Sequence, residues 1–140
     1  MGVTVADLDR SVAFWERLLG VASRDRAVLA GPRLGGLLGY PPGLRIASCW
    51  VDLPGGGALE LLQYLERDDP PHDDGTAHPG NVHVCLRVAE MAVAHQHAVA
   101  SGARPVGEGP IEVRAGPNAG MRVAYLRDPD GVTIELRQLA

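Results

Sequence analysis

Lysine is absent from this sequence. All 13 basic residues of the 140-residue chain are arginine, which excludes amine chemistry such as a lysine Schiff base. Only two cysteines occur, Cys49 and Cys85, and each sits in an apolar stretch that predicts a buried thiol. Two cysteines could close one disulfide, yet nothing else points to an oxidising compartment. No apolar run approaches the roughly 18 residues a membrane span needs, and no signal-peptide pattern opens the chain. The expectation is a cytoplasmic protein with no membrane partner. A net charge of −4 gives no electrostatic case for nucleic acid.

What is present suits a single domain, 1–140, long enough to bury a core without staples. The 18 glycines and 11 prolines fall in short clusters that read as turns between elements. The more telling feature is internal repetition. When SCWVDLPGGGALELLQ (48–63) is laid over VAYLRDPDGVTIELRQ (123–138), Trp50 meets Tyr125, Pro54 meets Pro129, Gly56 meets Gly131 and Glu60 meets Glu135. Both segments read as strand, turn, strand. The front halves match with a different offset, Val5 on Val88, Asp7 on Glu90 and Leu8 on Met91.

Each pair opens an amphipathic helix. In the first copy Asp7 is the expected N-cap, Leu8, Val12, Trp15 and Leu19 recur at helical spacing, and Gly20 ends the helix. In the second, Met91, His95 and Val99 share a face. The offsets differ because the first copy carries an extra loop, 31–43, with a short helical turn around Leu34–Leu38. The reading is α+β: two βαβββ repeats, about 1–64 and 81–140, joined by an acidic, proline-rich connector, 65–80. Side by side they would form a curved mixed sheet with helices outside and a central cavity.

Strand parity then locates the chemistry. Glu60 shares a face with Ala58, Leu62 and Tyr64, and Glu135 with Thr133 and Arg137, while their leucine and isoleucine neighbours point the other way. In 81–87, His83 shares a face with Cys85 and Arg87. Glutamate is depleted in mid-strand and costly to bury unpaired. Two symmetry-related glutamates and a strand histidine facing one cavity are explained by a shared divalent metal, Fe, Mn, Co, Ni or Zn. Pairing of the glutamates with Arg87, Arg122 or Arg137 is the alternative. Trp50, Tyr64 and Tyr125 could line the cavity or join the core, and Arg45, Arg87 and Arg122 are candidate anchors for a substrate anion. His72 and His78 in the connector and His95 and His97 on the second helix read as surface or packing residues.

The run GVTVADLDRSVAFWERLLG, then LELLQY, then the His83 strand, then YLRDPDGVTIEL resembles the vicinal oxygen chelate (glyoxalase/bleomycin-resistance/dioxygenase) superfamily across nearly the whole chain. The resemblance implies metal ligands on the first and last strands of each unit, which are Glu60, His83 and Glu135 here. The fourth family position, a histidine, aligns one place before Met1. The ligand pattern is similar to lactoylglutathione lyase and methylmalonyl-CoA epimerase. It implies a lyase, isomerase or epimerase acting on a small carbonyl compound through a metal-stabilised enediolate, with Glu60 or Glu135 as base. A homodimer is implied as well. The competing reading is a metal-free small-molecule binder of the same fold, such as an antibiotic-resistance protein.

Overall fold

The computed structural model describes residues 1–67, 69–70 and 73–140, and the chain divides into two compact units, Met1–Pro70 and Pro71–Ala140. The first runs β1 (Gly2–Thr4), α1 (Leu8–Leu19), β2 (Arg24–Ala30), the short α2 (Leu34–Leu38), β3 (Arg45–Asp52) and β4 (Ala58–Tyr64). The second runs β5 (His83–Arg87), α3 (Met91–Ser101), β6 (Arg104–Glu112), β7 (Arg122–Arg127) and β8 (Thr133–Gln138). Each unit carries one four-stranded mixed sheet, ordered β1-β4-β3-β2 and β5-β8-β7-β6. The first and last strands of a unit are parallel neighbours, and the other pairs are antiparallel. This is the repeated βαβββ arrangement of an α+β protein.

The helices form for different reasons. In α1 the apolar stripe holds: Leu8, Val12 and Trp15 are buried, and the Asp7 carboxylate accepts from the Arg10 N–H at 2.9 Å. In α3 the stripe read from sequence does not hold, because Val99 is 42% exposed. The packed side is Met91, Ala98 and Ser101. Small side chains let α3 lie close to its sheet, and apolar periodicity does not register them.

A glutamine at the end of each last strand fixes each helix over its sheet. The first N–H groups of a helix lack intrahelical partners. Gln63 Oε1 accepts from the Leu8 N–H at 3.0 Å, and Gln138 Oε1 accepts from the Met91 N–H at 2.7 Å. The hairpins also repeat. Gly56 donates to the Leu53 carbonyl and Gly131 to the Asp128 carbonyl, both glycines with positive φ, 107° and 91°. In the second hairpin the buried Asp128 carboxylate also accepts from the Asp130 and Val132 N–H groups at 2.9 and 2.8 Å.

Both outer strands are bulged at the same place. Arg24 opposes Trp50 and Ala27 opposes Ser48, so three steps on β2 face two on β3. Val106 opposes Tyr125 and Ile111 opposes Val123, so five steps on β6 face two on β7. Asp25 lies in the first bulge with φ 53°, its carboxylate accepting from Arg24 Nη1 at 2.5 Å.

Gln138→Ala would leave the Met91 N–H, in a residue 1% exposed, without its acceptor. The expected loss is about 1–3 kcal/mol of unfolding free energy, read by chemical denaturation. Gln96→Ala on the exposed side of α3 should stay within about 0.5 kcal/mol.

Candidate functional site

Leu59 and Leu61 on β4, and Ile134 and Leu136 on β8, are buried on the sides that meet α1 and α3. Alternation therefore places Glu60 and Glu135 on the opposite faces, as parity predicts. The ladders then set their neighbours. Glu60 lies between Gly2 and Trp50, with Arg24 next to Trp50. Glu135 lies between Cys85 and Tyr125, with Val106 next to Tyr125. The two rows are the same row of the repeat.

In the second unit the row is knitted together by side chains. His83 Nε2 lies 3.2 Å from Glu135 Oε2, and the Tyr125 hydroxyl donates to Glu135 Oε1 at 3.2 Å. The Tyr125 ring stands edge-on to the imidazole, centroids 6.0 Å apart. The Glu135 side chain is 11% exposed and that of His83 46%, so the pair opens to solvent on the histidine side. Burial, followed by the neighbouring Glu135 charge, raises the Tyr125 phenol above its ordinary range, so it remains a donor. A buried carboxylate is costly unless it is paired and hydrogen-bonded, and Glu135 is both.

One row along, Arg127 is buried, donating to Thr133 Oγ1 and to the Asp74 carbonyl, with its Nε 3.3 Å from Asp74 Oδ2. Thr133 is in turn the ladder partner of His83. Arginine and threonine thus tie the connector to the strand beside the histidine.

The donor set suits a divalent ion in part. Two ligands bound at roughly 2.0–2.2 Å to one ion lie about 3.0–3.5 Å apart, and the His83–Glu135 separation falls in that interval. Among the described residues no group of three or more His, Cys, Asp or Glu is arranged to hold a metal. Glu60 is half-buried in its own unit, and its carboxylate has no hydrogen-bond or ion-pair partner among the described residues.

The remaining candidates are placed as follows. Trp50 lies under the Arg24 guanidinium, 5.7 Å from its ring centroid, and Arg24 also grips Asp52. Tyr64 packs edge-on against Tyr40, and Arg45 is tied to Glu66 at 2.5 Å. Arg122 falls on the helix-side face of β7, shared with Ala124 and Leu126. Arg87 falls on the Glu135 face, opposite Arg137. His78 pairs with Asp73 at 3.2 Å, and His72 lies outside the described residues. His95 and His97 are on α3, away from the strand row.

One expectation is corrected. Both cysteines are free, but only Cys49 is buried; Cys85 is exposed because it lies on the Glu135 face and not under α3. Sequence reasoning passed over Arg24, Arg127 and Met121, whose roles come from neighbours distant in sequence.

Two βαβββ units, each with a glutamate on its last strand facing away from the helix, define a class of protein. Residues 1–125 match the profile of the glyoxalase/bleomycin resistance protein/dioxygenase superfamily, and the chain belongs to that superfamily. The fold is similar to a glyoxalase family protein from Bacillus cereus (24% identity, TM-score 0.78, 99% of this chain and 91% of that one). It is also similar to a glyoxalase/bleomycin resistance protein/dioxygenase domain from Frankia sp. (20%, 0.68, 99% and 88%). A glyoxalase I variant from Zea mays matches at 22% identity and TM-score 0.63, over 99% of this chain and 43% of that one. No curated protein matches the sequence. No helix among the described residues is long and apolar enough to cross a membrane.

Burial, then the Glu135 carboxylate, pushes the Cys85 thiol above its ordinary range, against the pull of Arg137. The thiolate is the reactive form. In metal-free protein near pH 8, Cys85 should therefore be alkylated by iodoacetamide more slowly than an unperturbed exposed cysteine, and Glu135→Gln should speed it. Mass spectrometry reads both, and an unchanged rate in the variant would place the carboxylate away from the thiol.

Proposed function

We propose that the protein is a metal-dependent lyase, isomerase or epimerase of glyoxalase type, which moves a proton next to the carbonyl of a small substrate. The observation that carries this reading is the His83–Glu135 pair, 3.2 Å apart, with Tyr125 donating to the far carboxylate oxygen. His83 and Glu135 are the ligands offered by the second unit, and Glu60 is the register equivalent of Glu135 in the first. A bound divalent ion of the Zn, Ni, Fe, Co or Mn type would supply Lewis acidity to the substrate's oxygens.

The chain's own residues handle the proton. Tyr125 holds Glu135 Oε1, which leaves Oε2, on the open histidine side, as the oxygen that receives it. The C–H bond breaks, its electron pair delocalises towards the carbonyl oxygen, and the same carboxylate returns the proton to the neighbouring carbon. Glu60, the register equivalent of Glu135, is the carboxylate the first unit offers for the same role. No lysine is present, and the Cys85 thiol beside Glu135 is pushed above its ordinary range by burial and that carboxylate, so it stays protonated, which favours proton transfer over covalent catalysis.

A metal-free binding protein is the second reading, favoured by the lack of a three-residue ligand group among the described residues. We take the working form to be a cytoplasmic homodimer; exposed Val28 and Leu29 on β2 and Ile111 on β6 support an association between copies. Sedimentation velocity giving only the monomer mass would remove the dimer.

Titration calorimetry with Zn, Ni, Co and Mn should show one site per chain, weakened at least about tenfold, or roughly 1.4 kcal/mol, by His83→Ala or Glu135→Gln. Solvent deuterium should enter a carbonyl substrate only with metal bound, and exchange surviving both metal removal and Glu135→Gln would sink the assignment. A third test uses the register. Gly2 opposes Glu60 as Cys85 opposes Glu135, so a residue added before Met1 takes the position of His83. A histidine there should raise metal affinity at least about tenfold over an alanine.

A further inference from the structure

The Glu135 face carries a like-charge pair. Arg87 and Arg137 are directly opposite in the parallel β5·β8 ladder, so they share a face on strands about 4.8 Å apart. Like charges so placed destabilise a sheet. The chain has no shortage of carboxylates, 17 against 13 arginines, and uses them elsewhere. Arg24 meets Asp52, Arg45 meets Glu66, Arg67 meets Asp69 and Arg127 meets Asp74.

Arg87 is exposed and pairs with no carboxylate among the described residues. Arg137 turns Nε and Nη2 towards Met121 Sδ at 3.3 and 3.2 Å, while its Nε stays 3.9 Å from Glu135 Oε1. A thioether is a weak acceptor. The hydrogen-bonding edge of the guanidinium is thus held in position by a group that any oxyanion would outcompete.

We propose that Arg87 and Arg137 form a subsite for an oxyanion of the substrate, a carboxylate or a phosphate. It lies at the next position on the same face of β8 from Glu135. The role as a substrate subsite rests on the enzymatic reading above; the binding itself rests on the ladder alone. Arg87 and Arg137 are opposite residues on one face, and once the Arg137 edge leaves Met121 their planar forks can match an oxyanion bidentately. An anion there removes the repulsion within the pair and ties one end of a substrate beside the carboxylate that takes its proton.

The test titrates the whole chain with inorganic phosphate and, separately, with malonate, with chloride as the ionic-strength control. Calorimetry and the arginine Nε–Hε NMR signals report binding. Saturable binding is expected in at least one arm, and the tighter arm tells phosphate from carboxylate. Arg87→Gln and Arg137→Gln should each weaken it at least about tenfold, and Arg67→Gln, whose arginine is tied to Asp69, should not.

Because Arg87 is exposed, its variant should fold, and relief of repulsion should raise Tm at low salt without added anion. Chloride acting as strongly as phosphate and malonate, unchanged affinity in Arg87→Gln, or a lower Tm would each overturn the subsite. Metal titration of the same samples separates the failures. Metal binding without anion binding removes only the subsite, whereas anion binding without metal binding removes only the metal-dependent reading.

Discussion

In each unit the first strand lies parallel to the last, and a hairpin cannot join parallel neighbours. The chain must leave the sheet, cross over it as a helix and return. The ladder closes at its far end with Val5 N–H donating to the Leu62 carbonyl and Val88 N–H to the Arg137 carbonyl, both at 2.9 Å. The same last strand supplies the glutamine that caps the returning helix. Sheet register and helix position are therefore set together. A slip of one residue along β4 or β8 would turn the glutamates into the helix-packed layer and the leucines out of it.

The two copies use that frame unequally. Glu135 is enclosed by an imidazole, a phenol and, at 3.9 Å, a guanidinium. Glu60 has Gly2 where Glu135 has Cys85, and Trp50 where Glu135 has Tyr125. Glycine offers no side chain, and the indole offers one N–H where the phenol hydroxyl reached the carboxylate. Duplication has kept the backbone positions and let the electrostatics of the rows diverge.

Much of this was legible in the sequence because it depends on local rules. The repeat, the hairpins, the Asp7 cap and the face of each glutamate follow from turn chemistry and from the period of two in a strand. The rest depends on contacts between distant residues. The exposure of Cys85 was missed because an apolar run suggests burial, although strand parity had already set the thiol on the His83 face, away from the helix. The packed side of α3 was missed because alanine and serine carry little hydrophobic signal. Gln63 and Gln138 stood aligned in the repeat, yet a capping role for a strand glutamine is visible only once the helix lies over it. Arg137 was an alternative partner for Glu135, and it lies 3.9 Å from that carboxylate, but its edge also donates to a sulfur 16 positions away, which no local rule foresees.

The bulges of β2 and β6 separate two properties that a sheet ordinarily couples, length and register. The extra residues stand outside the ladder, so Arg24 and Val106 still meet Trp50 and Tyr125 although the two outer strands differ in how many residues they insert. Insertions at this point leave the glutamate rows undisturbed. The rim of each sheet can therefore change size and composition in descendants of one gene while the frame beneath it stays fixed.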